Sequence, residues 1–283
     1  MVTGHRGCVV VTGASTGIGE AIALRLSRAG FEVFAGVRRE HDAERLRALG
    51  MRPLTLDVRN EADIAAAAEE VHAALEETRL VGLVNNAGVV VPSPVELVPL
   101  EGLREQLEVN VIGPVAVIQT FLPLLRAGRG RIVNIGSIDG KLATPLLGPY
   151  AASKFAMEGL SDVLRRELRS WRIQVAIVEP GVIRTPIWEK GRRTGDQLFE
   201  QSPPEAERLY RPLVDAIRAE SLRLEQESSI SPDAVARAVE HALTARRART
   251  RYLVGRDARI KSALAWLLPD RGLDVLVARV LKL

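Results

Sequence analysis

Tyr150-Ala151-Ala152-Ser153-Lys154 sets a phenol and an ammonium four residues apart. The segment opens a stretch, 151–170, whose length predicts a helix of five or more turns, so the two groups share one face. A free tyrosine titrates near ~10. A neighbouring cation favours the phenolate and lowers that value. The pair therefore predicts a phenol that exchanges a proton with an alcohol or carbonyl oxygen near neutral pH. Ser137, 13 residues earlier, follows a Val/Ile-rich run, and its hydroxyl would hold the same oxygen. Taken alone, a Tyr-x-x-x-Lys spacing fits a buried tyrosine with a snorkelling lysine equally well. The chemical reading gains its weight from the residues that accompany the pair.

The first of these is a turn, Thr12-Gly13-Ala14-Ser15-Thr16-Gly17-Ile18-Gly19, between an apolar run and an amphipathic one. Glycines suit such a turn because it needs backbone angles that a Cβ disfavours. They also let a phosphate approach the open N–H groups at a helix start. The spacing is G-x-x-x-G-x-G, not the commoner G-x-G-x-x-G of dinucleotide sites. The second Val-rich run ends in Val37-Arg38-Arg39. An NAD site usually carries a carboxylate there for the ribose hydroxyls. A guanidinium at Arg38 can instead pair with a 2′-phosphate. This favours NADP(H), with NAD(H) as the alternative, and Thr16 adds no charge in support. Asn85-Asn86-Ala87-Gly88, Asn110 and Pro180-Gly181 complete the series, although the asparagines and the Pro-Gly pair also suit plain turns.

The elements that must carry these residues are legible as alternation. Apolar runs fall at Cys8–Val11, Glu32–Val37, Leu54–Leu56, Leu80–Val84, Arg131–Ile135 and Gln174–Val178. They are near-continuous rather than alternating, as for parallel strands buried on both faces. Helical stretches separate them at Ile18–Arg28, Ala62–Glu77, 103–125 and 151–170. The expected fold is α/β: a Rossmann-type doubly wound parallel sheet in one domain spanning residues 1–283. Beyond Pro186 the pattern loosens. Residues 186–230 predict a substrate-binding loop, and Ser231-Pro232-Asp233 caps a further helix reaching about Ala245. Residues 246–283 form a C-terminal extension, which Pro269 divides into two short helical pieces.

Composition narrows the function further. The 283 residues are 47% hydrophobic and 26% charged, which argues against disorder. One cysteine, Cys8, excludes an intrachain disulfide and a cysteine-based zinc cluster, and four scattered histidines show no ligand spacing, so no metal site is expected. The net charge of +4 is uneven. Ten Lys/Arg against three Asp lie between Arg246 and Leu283, which leaves the rest near −3. The pI of 9.6 thus describes a basic tail, and nucleic acid is not an expected partner. No uninterrupted apolar stretch reaches the ~18 residues of a membrane span, and the N-terminus lacks a signal-peptide pattern; both point to the cytoplasm. The tail, with Trp266 among leucines and arginines, could touch an anionic membrane surface. Packing over the substrate loop or a partner subunit is the commoner use of such a segment.

Taken in order, these motifs resemble the short-chain dehydrogenase/reductase family from about Arg6 to Pro186. The resemblance implies a catalytic set of Ser137, Tyr150 and Lys154, with Asn110 as a fourth member that kinks its helix and holds a water beside Lys154. It implies cofactor contacts from Gly13, Ser15, Thr16, Gly17, Ile18, Gly19 and Arg38, with Asp57 and Val58 flanking the adenine. Asn86, Ala87 and Gly88 would line the cleft. Tyr150, Lys154, Pro180, Gly181, Ile183 and Thr185 would meet the nicotinamide end. The implied reaction moves a hydride between the nicotinamide and a secondary alcohol or ketone, with Tyr150 as acid/base. A homodimer or homotetramer through helices near 103–125 and 151–170 is also implied. Leu142, Leu146, Leu147, Ile187 and Trp188 suggest a lipophilic substrate, although they could equally pack on one another. The long tail and Val33-Phe34-Ala35-Gly36 look more like the retinol- and steroid-dehydrogenase branch than a ketoacyl-thioester reductase. That reductase, and a non-catalytic NADP(H)-sensing protein, remain the alternatives.

Overall fold

The computed structural model describes residues 6–75, 78–227 and 230–281. The last two residues of the expected helix Ala62–Glu77, residues 228–229 of the expected loop, and the chain ends at 1–5 and 282–283 lie outside that range.

Seven strands form one parallel sheet in the order β3-β2-β1-β4-β5-β6-β7. They are β1 (Cys8–Val11), β2 (Glu32–Val37), β3 (Arg52–Thr55), β4 (Leu80–Asn85), β5 (Arg131–Ile135), β6 (Gln174–Pro180) and β7 (Arg251–Val254). In the first half, α1 (Gly17–Arg28), α2 (Glu40–Ala48), α3 (Glu61–Ala74), α4 (Leu100–Leu107), α5 (Gly113–Gly128) and α6 (Gly148–Glu167) connect them. In the second half come α7 (Pro186–Glu200), α8 (Pro204–Glu227), α9 (Pro232–Thr244), α10 (Arg256–Leu267) and α11 (Asp270–Leu281). The chain winds outward from β1 to β3 and then returns to β4 on the other side of β1. That reversal opens a crevice at the carboxyl ends of β1 and β4.

The unbroken apolar runs have a direct cause. Val9 and Val11 pack with Ile22 and Leu26 of α1 and Val235 and Val239 of α9. Cys8 and Val10 point to the opposite face, with Ile64 of α3 and Val117 and Phe121 of α5. Every residue of β1 is fully buried, so polar alternation has no place there.

Three expectations need correction. The third strand spans Arg52–Thr55 rather than Leu54–Leu56, because its register follows Phe34–Val37. The helix expected at 103–125 is split by one π-helical turn, Glu108–Ile112, between α4 and α5. The loop expected at 186–230 is largely the helices α7 and α8, each with a proline in its first turn. Its glycines mark close packing instead of irregular chain. A Cβ on Gly191 would stand 3.5 Å from Val90, and one on Gly195 3.3 Å from Pro92.

By length and average composition Leu100–Gly128 could cross a bilayer, although its apolar residues are interrupted. Here its apolar face, including Val117, Phe121 and Leu125, is buried against the sheet.

Candidate functional site: a dinucleotide cleft joined to an apolar cavity

The turn after β1 is shaped by what its glycines avoid. Gly13 and Gly17 hold φ of +64° and +63°, where a side chain is strained. A Cβ on Gly13 would lie 2.8 Å from Ala87 Cα, and one on Gly19 would overlap the Gly13 carbonyl and the Asn86 amide. Thr16 precedes α1 in extended backbone without a side-chain cap. The first N–H groups of α1 are thus left for an anion. This bare cradle fits the phosphates of a dinucleotide. Asn86 supports it from behind. Its Nδ2 donates to the carbonyls of Thr12 and Gly13, each at 3.0 Å. Thr12 Oγ1 in turn accepts from the N–H groups of Asn86 and Ala87, also at 3.0 Å.

A cleft of about 220 Å³ runs from this cradle. Of the residues predicted for the cofactor, Gly13, Ser15, Thr16, Gly17, Ile18, Gly19, Arg38, Asp57, Val58, Asn86, Ala87, Gly88, Pro180, Gly181, Ile183 and Thr185 all line it, together with Ser137, Tyr150 and Lys154. At its outer end Arg59 grips both carboxylate oxygens of Asp57, at 2.7 and 3.1 Å. That contact holds Asp57 below the usual carboxylate range, and Arg38 adds to the effect from nearby. The carboxylate that could compete for Arg38 is thereby engaged elsewhere.

At its inner end the cleft meets α6. Lys154 Nζ donates to the Ile135 carbonyl at 2.9 Å and lies 5.5 Å from the centre of the Tyr150 ring. Both side chains are buried. Burial pushes the Tyr150 phenol above its ordinary value, the Asp139 carboxyl adds to this, and the Ser137 hydroxyl opposes it. Burial also brings Lys154 down to about 8, against the pull of Asp139. The expectation that Lys154 lowers the phenol is therefore corrected. Desolvation and a nearby carboxyl win, and the phenol is held in its neutral form.

Asn110 sits in the π-helical turn, as the implied kink required. Its Oδ1 accepts from Val89 N–H at 2.9 Å. Its Nδ2 donates to the Val89 carbonyl and to Ser153 Oγ, both at 3.1 Å. Ser153 Oγ donates onward to the Tyr150 carbonyl at 2.7 Å. Asn110 therefore clamps the start of α6 to the loop after β4. It touches Tyr150 only through that backbone link.

Beyond Ser137 lies a second space of about 390 Å³. It shares Gly181 and Trp188 with the cleft. Leu142, Leu146, Leu147 and Trp188 line it as expected, whereas Ile187 lines the cleft instead. Its outer wall comes from the C-terminal extension: Leu264 of α10 and Leu276, Val277 and Val280 of α11. The tail thus packs over this cavity, while Trp266, 84% exposed, faces outward.

Some contributors escaped the sequence reading. Asp139, two residues after Ser137, is buried beside Tyr150; its only signal was a lone acid in an apolar segment. Asp257 of α10 accepts from Val182 N–H at 2.7 Å and so fixes the Pro180-Gly181 turn from 75 residues away. Gln106, fully buried, braces Val89 and Val91 with two hydrogen bonds of 2.7 and 2.8 Å.

Residues 7–196 match the family described as short chain dehydrogenase. The 3-amino-tetrahydro-pyrrolizinone reductase of Xenorhabdus hominickii is 39% identical over 255 residues, 90% of this chain and 88% of that protein. The NADPH-dependent 3-dehydrocapnine reductase of Ornithobacterium rhinotracheale is 36% identical over 96% of both chains. Human retinol dehydrogenase 5 is 37% identical over 96% of this chain and 88% of its own, in keeping with the branch the tail suggested. A short chain dehydrogenase of Burkholderia cenocepacia, solved in complex with NADP, superposes with a TM-score of 0.72 at 27% identity, covering 98% of each chain. With the glycine cradle, the Ser137–Tyr150–Lys154 grouping and these likenesses together, the chain belongs to the short-chain dehydrogenase family.

Proposed function

We propose that this oxidoreductase reduces a lipophilic ketone to a secondary alcohol with NADPH. The observation that carries the reading is that Ser137, Tyr150 and Lys154 line the cleft that holds the phosphate cradle, and that this cleft shares Gly181 and Trp188 with a cavity walled by apolar side chains. NADPH, when bound, supplies the hydride that reduces the carbonyl carbon. The chain's own residues do the rest. Ser137 and Tyr150 hydrogen-bond the carbonyl oxygen, and Tyr150 gives its proton to that oxygen as the C=O double bond is lost. A phenol held neutral suits this direction. Lys154, protonated below about 8, replenishes that proton and favours the charge left on the phenol. Arg38, on a strand end that carries no acid, supports NADPH over NADH. The name of the Ornithobacterium relative supports the same preference. The exposed Ile112, Phe155 and Val163, on the π-helical turn and α6, support a homo-oligomer through that face.

The reading is tested by following NADPH oxidation against a panel of long-chain and cyclic ketones. Tyr150→Phe is expected to lower kcat by at least about a thousandfold while NADPH still binds. Arg38→Asp is expected to weaken NADPH about 10- to 100-fold with little change for NADH. A Tyr150→Phe variant as active as wild type ends the acid role assigned to the phenol.

A further inference from the structure

We infer that Asp139 is a specificity residue that takes a protonated amino group on the carbon next to the reacting carbonyl, so that amino ketones with an apolar tail are preferred substrates. The inference rests on the ketone reduction proposed above and names its substrate class.

Asp139, 6% exposed, lies on the wall of the apolar cavity, two residues after Ser137 of the cleft. Its Oδ1 accepts from Thr144 Oγ1 at 2.8 Å, and its Oδ2 from Ser137 Oγ at 3.3 Å. A carboxylate offers about four lone-pair positions, so those contacts leave half its capacity unused. On the same wall Arg192 pairs with Glu225 at 2.7 Å and Arg218 pairs with Asp196, while Lys261 lines it without such a pair among the described residues. Asp139 has no such partner among the described residues. Burial pushes its carboxyl above the usual carboxylate range, and Lys261 and Lys154, which oppose this from a distance, close no ion pair with it. A buried carboxylate left in this state is costly, and a cation that reaches it relieves the cost.

Position then sets which cation. Ser137 hydrogen-bonds Asp139 and faces the carbonyl oxygen in the proposed reaction. A substrate group that reaches Asp139 is therefore attached close to that carbonyl. An ammonium on the neighbouring carbon meets this requirement, and the rest of the molecule continues between Leu142, Trp188 and Leu264. If Asp139 served only to orient Ser137, an uncharged acceptor would do as well and no preference for amines would follow.

The test compares a long-chain α-amino ketone with its α-methyl isostere in NADPH-dependent turnover. Wild type is expected to show a kcat/KM about 10- to 100-fold higher for the amino ketone. In Asp139→Asn that ratio is expected to fall close to one. A second measurement needs no variant: a long-chain primary amine should inhibit ketone reduction about tenfold more strongly than the alcohol of equal length. Equal kcat/KM values in wild type, or a preference that survives Asp139→Asn, overturn the cationic subsite and leave ketone reduction standing. Failure to turn over any ketone overturns both.

Discussion

The dinucleotide cleft and the apolar cavity share Gly181 and Trp188, yet they are built in opposite ways. The cleft takes most of its walls from the carboxyl ends of β1 to β6, with Val109 of the π-helical turn and Tyr150 and Lys154 of α6 added. Its shape is set by backbone limits: two left-handed glycines, a third against a carbonyl, and an asparagine tying two turns together. The cavity draws on segments from Val90 to Leu281, and its shape is set by how apolar faces meet. One region depends on atoms that must be absent, the other on surfaces that must touch. A single extra methyl group should therefore ruin the first, whereas the second should yield by degrees.

Gly19→Ala puts the largest strain on this contrast. Its new Cβ would overlap the Gly13 carbonyl and the Asn86 amide, neither of which can move without opening the cradle. NADPH affinity is expected to fall about a thousandfold, on the order of 4 kcal/mol, by fluorescence titration. An unchanged Kd would mean the cradle is not held by the contacts described, and the contrast would lose its first half.

The cleft also holds two buried ionisable groups, Tyr150 and Lys154. Lys154 shows what that arrangement costs in stability. In the unfolded chain it stays charged up to its ordinary 10.5, and in the folded protein only up to about 8. Between those values the unfolded state binds more protons, so stability rises with pH; below about 8 the whole penalty stands. Lys154→Met removes it. At pH 7 the variant should be more stable by about 3 kcal/mol and should melt several degrees higher, while losing turnover. The gap should close as pH rises from 8 to 10.5. A gap that does not change with pH would show that Lys154 is not strained by burial, and that the cleft gives up no stability for its chemistry.

The same contrast explains what could be read from the chain. The cleft residues follow strand ends at short, fixed spacings, because phosphate approach and helix starts demand particular residue types at particular steps. Gly13, Gly17 and Gly19 could therefore be placed from sequence, as could Ser137, Tyr150 and Lys154. The electrostatic balance could not. Whether Lys154 lowers the phenol depends on burial and on Asp139, and neither is visible as a pattern. The helices α7 and α8 were hidden because Gly191 and Gly195 look like loop residues until Val90 and Pro92 are seen pressed against them. The docking of Asp257 on Val182 N–H joins residues too far apart for any local motif to announce. Packing partners across such distances leave only an apolar bias, which Leu264 and Val277 share with any core helix.

Leu264→Arg probes the cavity in the way Gly19→Ala probes the cleft. Leu264 lies on α10, partly buried, with its side chain on the outer wall of the cavity. It does not line the cleft, so NADPH affinity should stay within about twofold, below 0.5 kcal/mol. Arginine is longer than leucine and its head need not remain in the cavity, because the charge can swing to solvent along its apolar stem. The substrate's tail loses a leucine contact, worth about 1.5–3 kcal/mol if fully buried and less at a half-exposed site. The expected result is a KM for a long-chain ketone raised about tenfold, with kcat almost unchanged, since the reacting oxygen is held by Ser137 and Tyr150 at the other end. A short ketone that never reaches α10 should show no change at all. If short and long ketones suffer alike, the extension shapes the catalytic end as well, through Asp257 and the Pro180-Gly181 turn. The division between a cleft fixed by backbone and a cavity fixed by packing would then fail at the residues the two share.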